Sequence, residues 1–180
     1  MTDLPDLADF DDLAVQSDEL GAQEQAVLSR LADADHDLEA TALASNVFRV
    51  ATAMRRRLEQ AALRRAGLSW TAFKVLWVLW IWGERETRFV AVEADVTKGT
   101  LTGVVDTLAG RGLVVRRRHD DDRRLVSIAL TDAGHDLITD TFPVFNAEER
   151  AIADLVAPDE QAALVRGLRH LVAALEEDAP

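Results

Sequence analysis

Between Val96 and Thr131 the spacing of apolar residues changes from one period to another, and the rest of the chain is organised around that change. Leu101, Val104, Val105 and Leu108 recur at steps of three and four, which gives a helix one apolar stripe. Thr97 stands where a capping hydroxyl belongs and Gly112 where a helix stops. Beyond the glycine the alternation is that of strands. Residues 113–117 run into a charged tip, 119–123, and Leu125, Val126, Ile128 and Leu130 lead out of it. A polar-faced helix followed by an arginine-studded hairpin suits a winged helix-turn-helix, because the helix fits a major groove and the hairpin tip reaches the neighbouring minor groove.

Elsewhere the pattern is helical. In residues 37–65, Leu43, Val47, Val50, Met54 and Leu58 follow one another at spacings of three and four, a narrow stripe of the kind that packs on other helices. The consecutive Arg55, Arg56 and Arg57 point around that helix and read as a solvated face with one salt bridge. Gly67 ends it, and Ser69 caps a second helix over 70–82, where Trp70, Phe73, Trp77 and Trp80 share one side. All four tryptophans fall in this stretch, which makes them core first; the sharper alternative is that one or two line a pocket for an aromatic ligand. Residues 83–88 read as a charged loop and 89–95 as a short helix, the first of the helix-turn-helix pair. Thr131 with Asp132 opens a fifth helix, predicted to kink or split near Thr141 because Pro143 lacks an amide donor. Pro158, Asp159 and Glu160 start the last helix, on which Leu164, Leu168, Leu171 and Leu175 form a coiled-coil-like seam. The two narrow stripes predict an intertwined dimer.

The fold class that follows is mainly α with a small β-hairpin wing (α+β). A winged helix-turn-helix occupies 67–130, and a helical dimerisation region comprises 36–66 and 131–180. Residues 1–35 form an acidic extension. Its first part has no sustained period and reads as a tail without fixed structure, whereas Leu20, Val27, Leu28 and Leu31 give 16–34 the face of an extra helix, set against a solvated, partly folded leader.

Charge changes the picture only once it is located. The net charge of -12 looks wrong for a protein that touches phosphates, but residues 1–39 hold twelve acids and one base, leaving 20 acids and 19 bases for the remainder. From Thr97 to Arg124 there are seven bases and four acids, and it is the local patch that meets a ligand. The absence of cysteine excludes disulfides, thiolate metal sites and thiol-based peroxide sensing. No apolar run reaches membrane-spanning length and the start is acidic where a signal peptide would be basic, so the reading is cytoplasmic, with no membrane partner.

The order of helix, Arg-Gly-Leu-Val, Arg, an Asp-rich tip with Asp-Arg-Arg, an alternating strand and Leu-Thr-Asp-Ala-Gly resembles the MarR family of winged-helix regulators, over about residues 36–177. The resemblance implies a homodimeric regulator, more often a repressor, on a pseudo-palindromic operator in double-stranded DNA, whose affinity a small effector lowers. Groove and backbone contacts are then expected from Thr97, Lys98, Thr100, Thr102 and Gly103 on the helix, and from Arg116, Arg118, Asp122, Arg123 and Arg124 on the wing. The family's Asp-x-Arg pair maps onto Asp122 and Arg124, a carboxylate bracing a minor-groove arginine. Ala91 matches a position where the family has a small residue. Gly103 and Thr107 depart from it, standing where long polar side chains or arginine are usual, which shifts weight from base reading to shape and phosphate. The effector pocket implied at the junction of the two regions takes in Phe48, Met54, Trp70, Phe73 and Trp77. The dimer interface takes in Leu43, Val47, Leu164, Leu168, Leu171 and Leu175. Urate-responsive relatives also have an added N-terminal helix, but with a tryptophan in it and an aspartate and arginines in the pocket. Lys74 and Val104 stand near the matching positions here, and urate is not assigned.

Other classes are weaker. No nucleophile elbow, phosphate loop or metalloprotease motif occurs, so no enzyme, cofactor or metal is assigned. A metal-responsive regulator using His36, His135 or His170 with acids of the leader, and a protein-binding winged helix whose acidic leader mimics DNA, are the alternatives.

Overall fold

The computed structural model describes residues 22–31, 36–118 and 126–177. The chain divides into two units, residues 1–52 and 53–180.

In the first unit, α1 (Ala22–Leu31) is the described part of the extra helix expected over 16–34. The expected tail and residues 32–35 lie outside the described residues. Helix α2 (Leu38–Leu58) starts where Asp37 accepts a hydrogen bond from the Ala40 amide at 2.8 Å, a side-chain cap on an otherwise orphaned donor. Its apolar residues Leu43, Val47, Phe48 and Val50 are exposed.

The second unit takes up the end of α2. Here the predicted helix over 37–65 departs from regular form, because Glu59–Leu63 is a π-helical turn closed by a 2.9 Å bond from the Arg64 amide to the Glu59 carbonyl. The one-residue insertion buries Leu58, Ala62 and Leu63 together, a placement the three-and-four spacing of the sequence does not announce. Helix α3 (Trp70–Trp82) is capped by Ser69, whose hydroxyl accepts from Ala72 N–H at 3.2 Å. Its sequence, WTAFKVLWVLWIW, is apolar nearly all round, and such a helix has to be enclosed. Around it pack α4 (Thr87–Glu93), α5 (Lys98–Gly110), β2 (Val114–Arg118), β3 (Val126–Leu130) and α6 (Asp132–Ala153), while β1 (Arg85–Glu86) pairs with β3 and both its residues are exposed. Val75, Leu76 and Leu79 of α3 meet Val90, Leu101, Val105, Leu108, Ile128 and Ile138 in a single core.

The sheet has the order β1-β3-β2 and is antiparallel throughout, with Arg116 opposite Ile128 and Arg85 on the other side of the same residue. The stretch 83–88 was expected to be a charged loop and the next helix to begin at residue 89. Instead Arg85–Glu86 pairs with β3, and α4 begins at Thr87. Two exposed charged residues carry no strand period; they become a strand because the edge of β3 has backbone groups to satisfy.

Helix α6 runs unbroken from Asp132 to Ala153 with Pro143 inside it, so it does not split near Thr141. Pro143 is exposed, which leaves the carbonyl it cannot serve open to water, while Ile138, Thr141 and Phe145 on the opposite side stay buried in one register. Helix α7 (Pro158–Glu177) begins at the expected proline and has no buried residue, its leucines and valines being exposed along one side. Among the described residues no helix is long and apolar enough to cross a membrane.

Candidate nucleic-acid interface

The helix-turn-helix is α4, a turn and α5. The turn holds together through backbone bonds from Val96 to the Ala91 carbonyl and from Asp95 to the Val92 carbonyl, with Ala94 fully buried beneath it. Asp95 has a φ of 48°, a left-handed conformation that aspartate tolerates better than most residues. Lys74 of α3 reaches the Asp95 carbonyl at 3.4 Å and its carboxylate at 3.8 Å. The central helix thus supports the turn from below.

Helix α5 is capped by Thr97, whose hydroxyl accepts from Thr100 N–H at 3.1 Å. Leu101, Val105 and Leu108 bury one face, which leaves Lys98, Gly99, Thr100, Thr102, Gly103 and Asp106 outward. Lys98 is exposed, and no ion pair ties it down among the described residues. The threonine hydroxyls are already engaged: Thr100 with Thr97 at 2.9 Å, and Thr102 donating to the Lys98 carbonyl at 2.9 Å. Thr107 donates likewise to Gly103 at 2.9 Å. A β-carbon on Gly103 would meet nothing within 4 Å, so that glycine is not required by packing. The polar face of α5 is therefore short and low.

The side chains of three of the arginines expected to build the basic patch are described, and all three are tied into the fold. Arg111 donates to the carbonyls of Gly67 at 2.7 Å and Ala66 at 3.1 Å, which closes the chain after α2 onto the end of α5. Arg117 donates to Glu84 at 2.6 Å, and the same carboxylate accepts from the buried hydroxyl of Ser127, so the entry to β1 is joined to both other strands. Arg116, expected to touch DNA, donates to the carboxylate of Asp106 and, at 3.2 Å, to the carbonyl of Thr102. Its guanidinium lies along the recognition helix. Arg118 ends β2, its backbone opposite Val126. Asp122, Arg123 and Arg124 lie outside the described residues. The sequence reading missed the acceptors Asp106 and Glu84; the sign alternation between them and the β2 arginines was the available signal.

The expected pocket residues are only partly brought together. Trp70, Phe73 and Trp77 join Phe142 and Phe145 of α6 in a continuous set of rings, with Phe73 stacked on Phe145 at 4.4 Å and Trp77 tilted against Phe142 at 4.7 Å between centroids. Trp80 closes the set against Trp77 and Phe142, each at 5.5 Å. Phe73 and Phe145 are buried, whereas Trp70, Trp77 and Trp80 are half-buried. Met54 is half-buried too; Phe48, in the first unit, is 74% exposed. Trp82 stands apart, 48% exposed and edge-on to Phe89. Neither phenylalanine of α6 was picked out from sequence, where the TFPVF motif drew attention only to its proline. Among the described residues no three His, Asp or Glu side chains gather as a metal site would require.

The sequence profile of the MarR family matches residues 68–126. An uncharacterized HTH-type transcriptional regulator of Bacillus subtilis, YwaE, is 34% identical over 157 residues, covering 86% of this chain and 92% of its own length. Among solved structures, BpsR of Bordetella bronchiseptica, from work on how 6-hydroxynicotinic acid regulates its DNA binding, superposes with a TM-score of 0.67 at 23% identity, covering 72% of this chain and 98% of its own. A mutant of MarR from E. coli complexed with operator DNA superposes with a TM-score of 0.68 at 22% identity, covering 77% of this chain and 99% of its own.

Proposed function

This chain belongs to the MarR family of transcriptional regulators, and we propose that it sits in the cytoplasm as a homodimer on a pseudo-palindromic operator, repressing transcription until a small aromatic ligand releases it. The observation that carries the DNA half of this reading is the outward face of α5, where exposed Lys98 stands beside the capped N-terminus. A helix N-terminus with a free lysine attracts phosphate, and a low, threonine-and-glycine face lets the helix lie deep in a major groove. In this reading Thr97, Lys98, Thr100, Thr102 and Gly103 face the major groove, while Arg118, Asp122, Arg123 and Arg124 serve the wing.

The dimerisation region is taken as residues 36–66 and 131–180, around a DNA-binding domain at 67–130. What supports it is the apolar surface left open in one chain: Leu43 and Val47 on α2, and Leu164, Leu168, Leu171 and Leu175 on α7. A helix of this length with a leucine seam and no buried residue is stable only against a partner. The ligand reading rests on the half-buried faces of Trp70, Trp77 and Trp80, which offer flat apolar contact next to α6.

The test is fluorescence anisotropy with a duplex selected by the protein from a randomised library, over a series of salt concentrations. Lys98→Ala is expected to weaken selected and random duplexes alike and to lower the salt slope by about one unit per half-site. A protein that selects no sequence and binds no duplex would refute the regulator reading. The ligand is sought by thermal shift with aromatic acids, a ligand at 100 times its Kd adding about 2.7 kcal/mol.

A further inference from the structure

Arg116 and Asp106 form an ion pair on the face that the proposed function turns towards DNA, and their arrangement does more than neutralise charge. The guanidinium bridges two acceptors one helical turn apart on α5, the Asp106 carboxylate and the Thr102 carbonyl. A planar fork held at two points fixes orientation as well as distance, which the single ammonium of lysine cannot do. At its other end the residue is anchored in the sheet. Arg116 pairs with Ile128, a fully buried residue of the central strand, and β2 ends two residues later at Arg118. A small rotation of β2 against α5 would therefore tilt the β2–β3 hairpin.

Stability does not explain the pair. Its side chains are 38% and 59% exposed, and an ion pair in that setting contributes little to stability. Neither is it explained by attraction to DNA, since a carboxylate on the outer face of a recognition helix repels phosphate.

We propose that Arg116 is a positioning residue that sets the angle of the wing on the recognition helix, and that Asp106 stands on that helix to hold it. This rests on the DNA-binding reading above. A wing at the wrong angle cannot engage the minor groove while α5 is seated in the major groove. Selected DNA then loses affinity and random DNA, bound loosely through phosphates, loses little.

The experiment compares wild type, Arg116→Met, Asp106→Asn and the exchanged double variant Asp106→Arg/Arg116→Asp on the selected and random duplexes across a salt series. Circular dichroism checks folding. Each single variant is expected to reduce the ratio of selected to random affinity by about tenfold with an unchanged salt slope, and the exchange to recover part of it. Asp106→Asn loses affinity for selected DNA although it removes a negative charge. Should Arg116→Met not fold, Asp106→Asn and the exchanged variant decide the matter. Tighter binding by Asp106→Asn would mean that the carboxylate only repels DNA. A salt slope lowered by about one per half-site in Arg116→Met, with equal losses on both duplexes, would make Arg116 a phosphate contact. Either result overturns the positioning role while leaving the DNA-binding reading intact; that reading fails only if wild type selects no duplex.

Discussion

Gly134, in the first turn of α6, lies so close to Leu113 that a β-carbon on it would stand 1.9 Å from the Leu113 carbonyl oxygen. That oxygen already accepts the Thr131 amide at 3.1 Å, and the Thr131 hydroxyl donates to Gly112 at 2.6 Å while capping α6. The start of α6 is thereby pressed onto the chain entering β2. Gly134→Ala forces backbone apart, and we expect a loss of about 3 kcal/mol or more, the upper range for overpacking, read as a lower urea midpoint. Gly103→Ala, with open space around it, is expected to gain up to about 1 kcal/mol from helix propensity. Equal midpoints for the two variants would remove the close approach from the account.

Arg111 tests whether the basic residues after α5 belong to DNA or to the fold. Because its two terminal nitrogens serve the carbonyls of Ala66 and Gly67, Arg111→Met is expected to cost about 1 kcal/mol in thermal unfolding and to leave the salt slope of DNA binding unchanged. A slope reduced by about one per half-site would put Arg111 on a phosphate instead.

The leucine seam makes a prediction about assembly. With Leu168 exposed in one chain and centred in the seam, Leu168→Asp should yield monomers by light scattering and abolish binding to the selected duplex at the same time. A dimer that survives the change would place the subunit contact elsewhere.

For the aromatic set the two roles of Trp77 predict different outcomes. As a ring packed between Phe73, Trp80 and Phe142 it supports the junction of α3 and α6, and Trp77→Ala should cost about 3 kcal/mol. As a ligand face, its loss should weaken the release of DNA by an aromatic acid without changing DNA affinity. A stable Trp77→Ala protein with an unaltered ligand response would exclude both.

Local physical chemistry made much of this protein legible in its sequence. Ser69, Thr97 and Thr131 stand at the starts of the helices they were expected to open, and Asp37, read from sequence only as the beginning of its helix, caps α2 in the same way, because a capping hydroxyl or carboxylate acts on amides three residues away and needs nothing from the rest of the fold. Gly112, at a φ of 71°, ends α5 for an equally local reason, and the switch of period after it gives β2 and β3. The side of α3 that carries Trp70, Phe73 and Trp77 follows from spacing alone. What the sequence did not determine involves partners far apart along the chain. β1 exists only because β3 offers it an edge, and α6 passes Pro143 unbroken because buried residues on both sides of the proline hold one register. In the same way Arg116 reads as a free cation until the hairpin folds back and brings Asp106, ten residues earlier, under its guanidinium. Caps and periods are set by neighbours in sequence; the partner of a long, flexible side chain is chosen by the tertiary fold.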